Sequence, residues 1–231
     1  MLIVAMLSFS VEAQDLSTEK VLKAYAEAMK SDVITFLGIP VDGTVSTMKQ
    51  KLIAKGFKQD SDMLSGQFNG QDVYLSIVEN KGKVWRVVVV NKTPYSEEQI
   101  RTQFNYLVEQ FKHSSKYVYT EEYNPTIDES EDIDYEMSIH KKEYEAHFYQ
   151  KSHIEGDSVK LKEQFKLSFL KECPNASLKD IETAGQAMLG LFKLTGSTKM
   201  VWFSIAKSYY KGYRIVIYYD NFYNIPNGED L

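Results

Sequence analysis

The sequence predicts an α+β protein built as two units, each with antiparallel β-meander strands or hairpins packed against helices. Three observations carry that prediction. Two turn signals, Asn69-Gly70 and Asn80-Lys81-Gly82, punctuate alternating apolar residues between 64 and 90. Helical periodicity recurs on both sides of that run, with capping residues at helix starts. The 231 residues, 43% hydrophobic, suffice for one good core or two modest ones.

The chain opens on Leu2–Phe9 (LIVAMLSF), followed by Val11 and Ala13, spaced like the small residues of a signal-peptidase site. This predicts a signal peptide over 1–13, a mature start at Gln14, and an exported protein, periplasmic or extracellular. The first basic residue is Lys20, so the usual positive leader region is missing. No cysteine follows the block to take a lipid.

Residues 14–120 are expected as an N-terminal α+β unit. Ser17 to Lys30 reads as a helix with Val21, Leu22, Tyr25 and Met29 along one face. A turn-rich stretch from Phe36 to Gly43 leads to a helix over about Ser46–Lys55 that buries Met48, Leu52 and Ile53. Gly56 suits its C′ position, with Phe57 the apolar residue beyond. A two-residue turn at Asn69-Gly70 sets Leu64 opposite Leu75, Gly66 opposite Val73 and Phe68 opposite Gln71. A three-residue turn at Asn80-Lys81-Gly82 sets Ile77 opposite Trp85, Leu75 opposite Val87 and Val73 opposite Val89. Both turns place Val73 and Leu75 on one buried face, and the other face carries Asp72, Ser76 and Arg86. Pro94 ends the meander, and Ser96 with Gln99 forms a capping box. Ile100, Phe104, Leu107, Val108 and Phe111 then make an apolar stripe suited to the meander.

An acidic linker, 121–131, follows. Between Glu121 and Glu136 stand eight acidic residues and no Lys or Arg. The whole chain has 32 acidic and 27 basic residues, a formal charge of −5; removing those eight leaves 24 against 27. The negative charge is therefore local, which suits a solvated linker or a patch for a basic partner.

Residues 132–231 are expected as a C-terminal unit of order ββ-αα-ββ. A hairpin from Ile133 to Gln150 turning at Lys141-Lys142 would pair His140 with Glu143, placing Tyr135 by Phe148 on an apolar face and Glu136 by His147 on a polar one. A helix is expected from about Ser158 to Glu172, with Leu161, Phe165 and Phe169 on one face. A second starts at Ser177, boxed by Asp180, and buries Leu178, Ile181, Met188, Leu189 and Phe192. Lys199–Ala206 and Tyr213–Asp220 form a last hairpin whose register the intervening loop leaves open.

Composition excludes several classes. One cysteine, Cys173, permits no intrachain disulfide and no Cys-based zinc cluster. A mildly acidic chain is not a general nucleic-acid binder, and no apolar run approaches the ~18 residues of a membrane-spanning helix. His140, His147 and His153 lie close in sequence, but the hairpin register spreads them and no metal site is expected. The run Asp128 to Asp134 lacks the glycine and terminal glutamate spacing of a calcium loop. Cys173 sits at a helix end, where the dipole disfavours a thiolate. There is no Gly-x-Ser-x-Gly elbow, His-Glu-x-x-His pair or phosphate-binding loop, and no cofactor is expected.

The C-terminal aromatics carry the binding expectation. Tyr offers contact area with few rotors and a polar tip. Most of these residues are needed for sheet packing, which leaves Tyr209, Tyr210 and Tyr213, in or next to a loop, as candidate binding residues. The leading expectation is a non-catalytic binding protein with a protein or glycan partner. The alternative is a glycan or cell-wall hydrolase using paired carboxylates, one with a raised pKa. Self-association through an apolar face is a third.

Phe36–Thr44 (FLGIPVDGT), Met48, Leu52, Lys55-Gly56-Phe57 and Leu64–Gly70 (LSGQFNG) resemble a group of uncharacterised exported proteins of Bacteroidetes bacteria. Tyr218-Tyr219-Asp220 and Asn227–Leu231 (NGEDL) resemble their tails. Residues 36–90 also resemble small envelope modules of SmpA/OmlA and β-lactamase-inhibitor type. That resemblance implies a protein-binding or envelope-assembly role. The lipid-anchoring cysteine of the assembly lipoproteins is missing, and no functional residue carries over.

Overall fold

In chain order the elements are β1 (Thr35–Phe36), β2 (Ile39–Pro40), α1 (Val45–Ala54), β3 (Lys58–Asp60), β4 (Met63–Phe68), β5 (Gln71–Asn80), β6 (Lys83–Asn91), α2 (Glu97–His113) and β7 (Tyr117–Val118). A helical turn, Ile133–Tyr135, runs on as a π-turn, Glu136–His140. Then come β8 (Glu145–Gln150), α3 (Ser158–Glu172), α4 (Leu178–Thr195), β9 (Lys199–Lys207), β10 (Tyr213–Asn221) and a 3-10 turn, Phe222–Asn224. This computed structural model describes residues 20, 23–24, 33–119, 124–151, 158–195, 199–209 and 212–226, with backbone alone at 158–162, 164 and 187–195. The expected signal peptide and most of the 17–30 helix lie outside the described residues.

The class is α+β, as the sequence predicts. Eight strands form one antiparallel sheet in the order β3-β4-β5-β6-β10-β9-β8-β7, and β1 with β2 makes a small hairpin. The expected division at 121–131 is corrected. One compact unit comprises Val33–Lys151 and Thr198–Leu231; the other comprises Met1–Asp32 and Ser152–Ser197. The first unit merges strands from both sequence halves, because β10 pairs with β6 from Val216↔Val90 to Asp220↔Arg86. An edge strand leaves a row of backbone donors and acceptors unsatisfied, and β10 satisfies them on β6.

The β4–β5 turn is as predicted, with Leu64↔Leu75, Gly66↔Val73 and Phe68↔Gln71. Asn69 and Gly70 both have positive φ, 48° and 73°, as a type I′ turn requires. The β5–β6 register differs from expectation by two residues: Ile77 faces Val87, Leu75 faces Val89 and Val73 faces Asn91. The turn is the two-residue Lys81-Gly82 (φ 50° and 77°) rather than a three-residue one. The register breaks at Val78/Glu79, where Trp85 is the extra residue on β6. A bulge of this kind sends Val84, not Trp85, to the core face, and Val84 is fully buried.

Helix α1 starts at a Thr44 cap, whose side chain accepts from Thr47 N, and buries Met48 and Leu52. Ile53, expected in the core, is 47% exposed. Past its end Phe57 N donates to Leu52 O at 3.2 Å and Phe57 is buried, as the glycine-terminated helix predicts. In α2 the Ser96–Gln99 capping box is present and all five stripe residues are buried. Phe104 and Phe111 pack on Phe203 with ring centroids 5.2 and 5.4 Å apart, and Phe111 lies 5.0 Å from Phe148. One core thus binds both helices to one face of the sheet.

The expected 133–150 hairpin does not form. Asp132 Oδ1 caps a helical turn by accepting from Tyr135 N at 2.8 Å, which lets Ile133 bury completely. Lys141, in the left-handed conformation, closes the π-turn. β8 pairs instead with β9, Ala146 opposite Phe203 and His147 opposite Trp202. Alternation shows which side chains share a face, not which strand supplies the partner. The acidic stretch is correspondingly anchored. Asn105 on α2 both donates to Ile127 O and accepts from Ile127 N at 2.8 Å, and Ile127 is buried.

In the other unit α3 and α4 occur as predicted. Ser177 and Asp180 cap α4 reciprocally, Asp180 N donating to Ser177 Oγ at 3.2 Å and Ser177 N to Asp180 Oδ2 at 2.9 Å. Phe165 and Phe169 stack at 5.8 Å and are buried with Cys173 and Ala184. Leu178, expected in the core, is 80% exposed because it begins the helix beside the cap.

Candidate functional site

Two of the three candidate tyrosines, Tyr209 and Tyr213, are among the described residues, and they differ in exposure. Tyr209, in the β9–β10 loop, is 94% exposed. Tyr210 lies outside the described residues. Tyr213 is buried: its backbone pairs with Tyr95 at 2.8 and 2.9 Å, and its hydroxyl donates to Asp134 Oδ1 at 2.9 Å. Tyr213 belongs to the core, as its place at the first residue of a paired strand makes natural.

The acidic stretch uses its charge internally. Asp134 accepts from Lys207 Nζ at 2.7 Å as well as from Tyr213, and these two bonds hold its carboxyl below the usual range. Lys142 and the Tyr144 hydroxyl do the same to Glu131. Burial, then the facing carboxylates, push both tyrosine hydroxyls well above their ordinary value. Asp128, through Ser130, and Asp180, through Ser177, are also displaced downward. A general acid needs displacement in the opposite sense. His140 pairs with Glu136 at 3.0 Å and His147 with Glu145 at 3.1 Å; His153 is outside the described residues. Among the described residues no three His, Cys, Asp or Glu side chains are grouped to hold a metal, and no helix is long and apolar enough to cross a membrane.

Among the described residues of its unit, no helix packs on the second face of the eight-stranded sheet, and this face carries an organised polar cluster. Both of the chain's tryptophans, Trp85 and Trp202, stand on it. Pairing places Val88, Tyr218, Trp202 and His147 in one row across β6, β10, β9 and β8. Tyr218 and Trp202 stack with centroids 3.9 Å apart and 15° between planes, and Trp202 and His147 at 5.7 Å and 13°. The Arg86 guanidinium continues the column, 4.8 Å from the Tyr218 ring and 4.3 Å from Trp85. The bulge makes this possible, since it turns Trp85 to the same face as its neighbour Arg86.

Asp220 anchors the column from beneath. It is 1% exposed and accepts from Arg86 Nε at 2.6 Å, Arg86 Nη2 at 2.7 Å and Trp202 Nε1 at 2.9 Å. A bidentate guanidinium–carboxylate pair of this kind fixes orientation as well as charge. The faces of the Tyr218 and Trp202 rings are spent on one another and on Arg86 or His147, so the column turns ring edges, not faces, outward. His147, with a side chain 43% exposed, is its outermost member.

Sequence reasoning missed this site for two reasons. A three-residue turn at Asn80-Lys81-Gly82 assigns Trp85 to the core face, and Trp202, Tyr218 and His147 read separately as sheet packing or solvated surface. The available signal was that both tryptophans and an arginine follow strand alternation toward one face. No known protein family, curated protein or solved structure matches the chain.

Proposed function

We propose that this is an exported, non-catalytic binding protein that captures a protein partner on the second face of the eight-stranded sheet, along Trp85, Arg86, Tyr218, Trp202 and His147. The column itself carries the reading. Trp, Tyr and Arg dominate the energetics of protein interfaces, and here Asp220 fixes Arg86 and Trp202, with Tyr218 stacked between them, so that little side-chain freedom is lost on docking. Outward ring edges favour polar and edge-to-face contacts with protein groups over the ring-face stacking that a sugar requires. The signal-like segment 1–13 and the resemblance of residues 36–90 to envelope modules support the cellular side of the reading.

The test compares wild type, Trp202→Ala and Tyr209→Ala, each recovered from its native host with whatever it holds and quantified by mass spectrometry. Trp202→Ala should lose the partner while keeping its circular dichroism, and Tyr209→Ala should keep it. Equal recovery from all three, or recovery of glycan alone, sinks the reading. A mature N-terminus at Gln14 is expected, and an intact Met1 on a cytosolic protein would overturn export.

A further inference from the structure

A cleft of about 450 Å³ lies at the β3–β4–β5 end of the sheet, lined by Lys55, Lys58, Ser65, Gln67, Asp72 and Lys92. Strand pairing places part of it on the same face as the column. Lys58, Ser65, Tyr74, Val90, Val216 and Ser204 form one row, and Val216 and Ser204 each stand two residues from column members, Tyr218 and Trp202. β4 and β9 are four strand spacings apart, about 19 Å, so cleft and column fit within one standard interface of about 800 Å² per partner.

The cleft's charge is unbalanced. Lys92 is shared between Asp60, at 3.7 Å, and the Tyr74 ring, at 4.6 Å. Asp72 already accepts from Gln67 Nε2 at 2.5 Å. Neither Lys55 nor Lys58 has an ion-pair partner among the described residues. Gly66 keeps the wall in place: a Cβ there would meet the Phe57 ring at 2.6 Å and force it to shift. A concave site with an excess of one sign of charge, here three lysines against Asp72, concentrates the opposite sign.

We infer that this cleft is an acidic-peptide subsite, in which Lys55, Lys58 and Lys92 receive Glu or Asp side chains of the protein that docks on the column. The inference rests on the docking reading for its partner but not for its own measurement. Lysine supplies point charges without the planar fork of arginine, which suits several loosely placed carboxylates.

The experiment is an amide-resolved NMR titration of the full chain with a capped Glu/Ala hexapeptide, its Gln counterpart and inorganic phosphate. The Glu peptide should move the Gly56, Lys58, Gly66 and Lys92 amides, and the movement should fade as salt rises. The Gln peptide should leave them in place. The Lys55→Gln/Lys58→Gln double variant should weaken the Glu peptide about tenfold, as two exposed ion pairs allow. No localised shift, equal response to the Gln peptide, or an unchanged double variant overturns the subsite. Response to phosphate without response to the Glu peptide overturns the peptide assignment. Trp202→Ala should not alter the titration. Peptide binding in a protein whose partner capture ignores Trp202 overturns the docking reading alone, whereas Trp202-dependent capture with a silent cleft overturns this inference alone.

Discussion

The two faces of the eight-stranded sheet are held by different physics. On the helix-covered face, aromatic and aliphatic side chains such as Phe104, Phe148, Phe203, Leu64 and Val87 are buried and answer only to shape and area. On the other, Arg86 and Trp202 are oriented by one buried carboxylate, Asp220, and Trp85 and Tyr218 lie against them. The first arrangement stabilises whichever residues fill the volume. The second depends on particular donors meeting one acceptor, so it specifies orientation at the cost of sensitivity to single changes.

The comparison is sharpest under substitution. Phe203→Ala removes the ring on which Phe104, Phe111 and Phe148 converge and should cost about 3–5 kcal/mol in urea unfolding. Asp220→Ala, on the other face, leaves the Arg86 guanidinium and Trp202 Nε1 without their acceptor and should cost about 2–4 kcal/mol. It should also loosen the column, seen as a red shift of tryptophan fluorescence that Phe203→Ala does not share at equal stability. If Asp220→Ala is as stable as wild type, the second face is packing and not a carboxylate-anchored column.

A smaller effect tests the helix cover itself. Ser96→Ala removes the α2 cap and should cost about 1 kcal/mol, with no change in fluorescence. The smallest is the response to pH of the anchored acidic stretch. Lys142 and Tyr144 lower the Glu131 pKa. Its contribution is present above the ordinary glutamate value and lost as pH falls through the lowered one. Tyr144 is raised, by burial and by Glu131. Its contribution is present below the ordinary tyrosine value and lost as pH rises beyond it toward the raised one. Unfolding midpoints across pH should therefore fall at both ends, and Glu131→Gln should flatten the acid limb. An unchanged acid limb in that variant would show that Glu131 contributes no pH-dependent stability there.

How far the sequence could be read depended on the range of the interaction. The Asn69-Gly70 turn, the Ser96–Gln99 box, the Ser177–Asp180 cap and the α2 stripe involve neighbours a few residues apart, and each occurs as predicted. The β5–β6 register moved by two although the turn signal was correctly placed, because the two-residue Lys81-Gly82 turn shifts it by one and the bulge at Trp85 by one more. The 133–150 hairpin failed because Asp132 offered a helix cap and β9, some fifty residues on, offered a better strand. The candidate tyrosines separated for the same reason: Tyr213 is drawn into the core by a bridge to Tyr95 and a bond to Asp134.

By itself, then, the sequence determined the α+β class, helices α1 to α4, the Asn69-Gly70 turn and the apolar faces of β4, β5 and β8, since periodicity and capping are local properties of the chain. Only the tertiary structure decided that strands from both halves share one sheet, that Asp220 lies beneath Arg86 and Trp202, and that Lys55, Lys58 and Lys92 line one cleft. The reason is physical: long-range strand pairing depends on which edge is left unsatisfied after everything else has packed, and no residue pattern within β6 or β10 names the other as its partner.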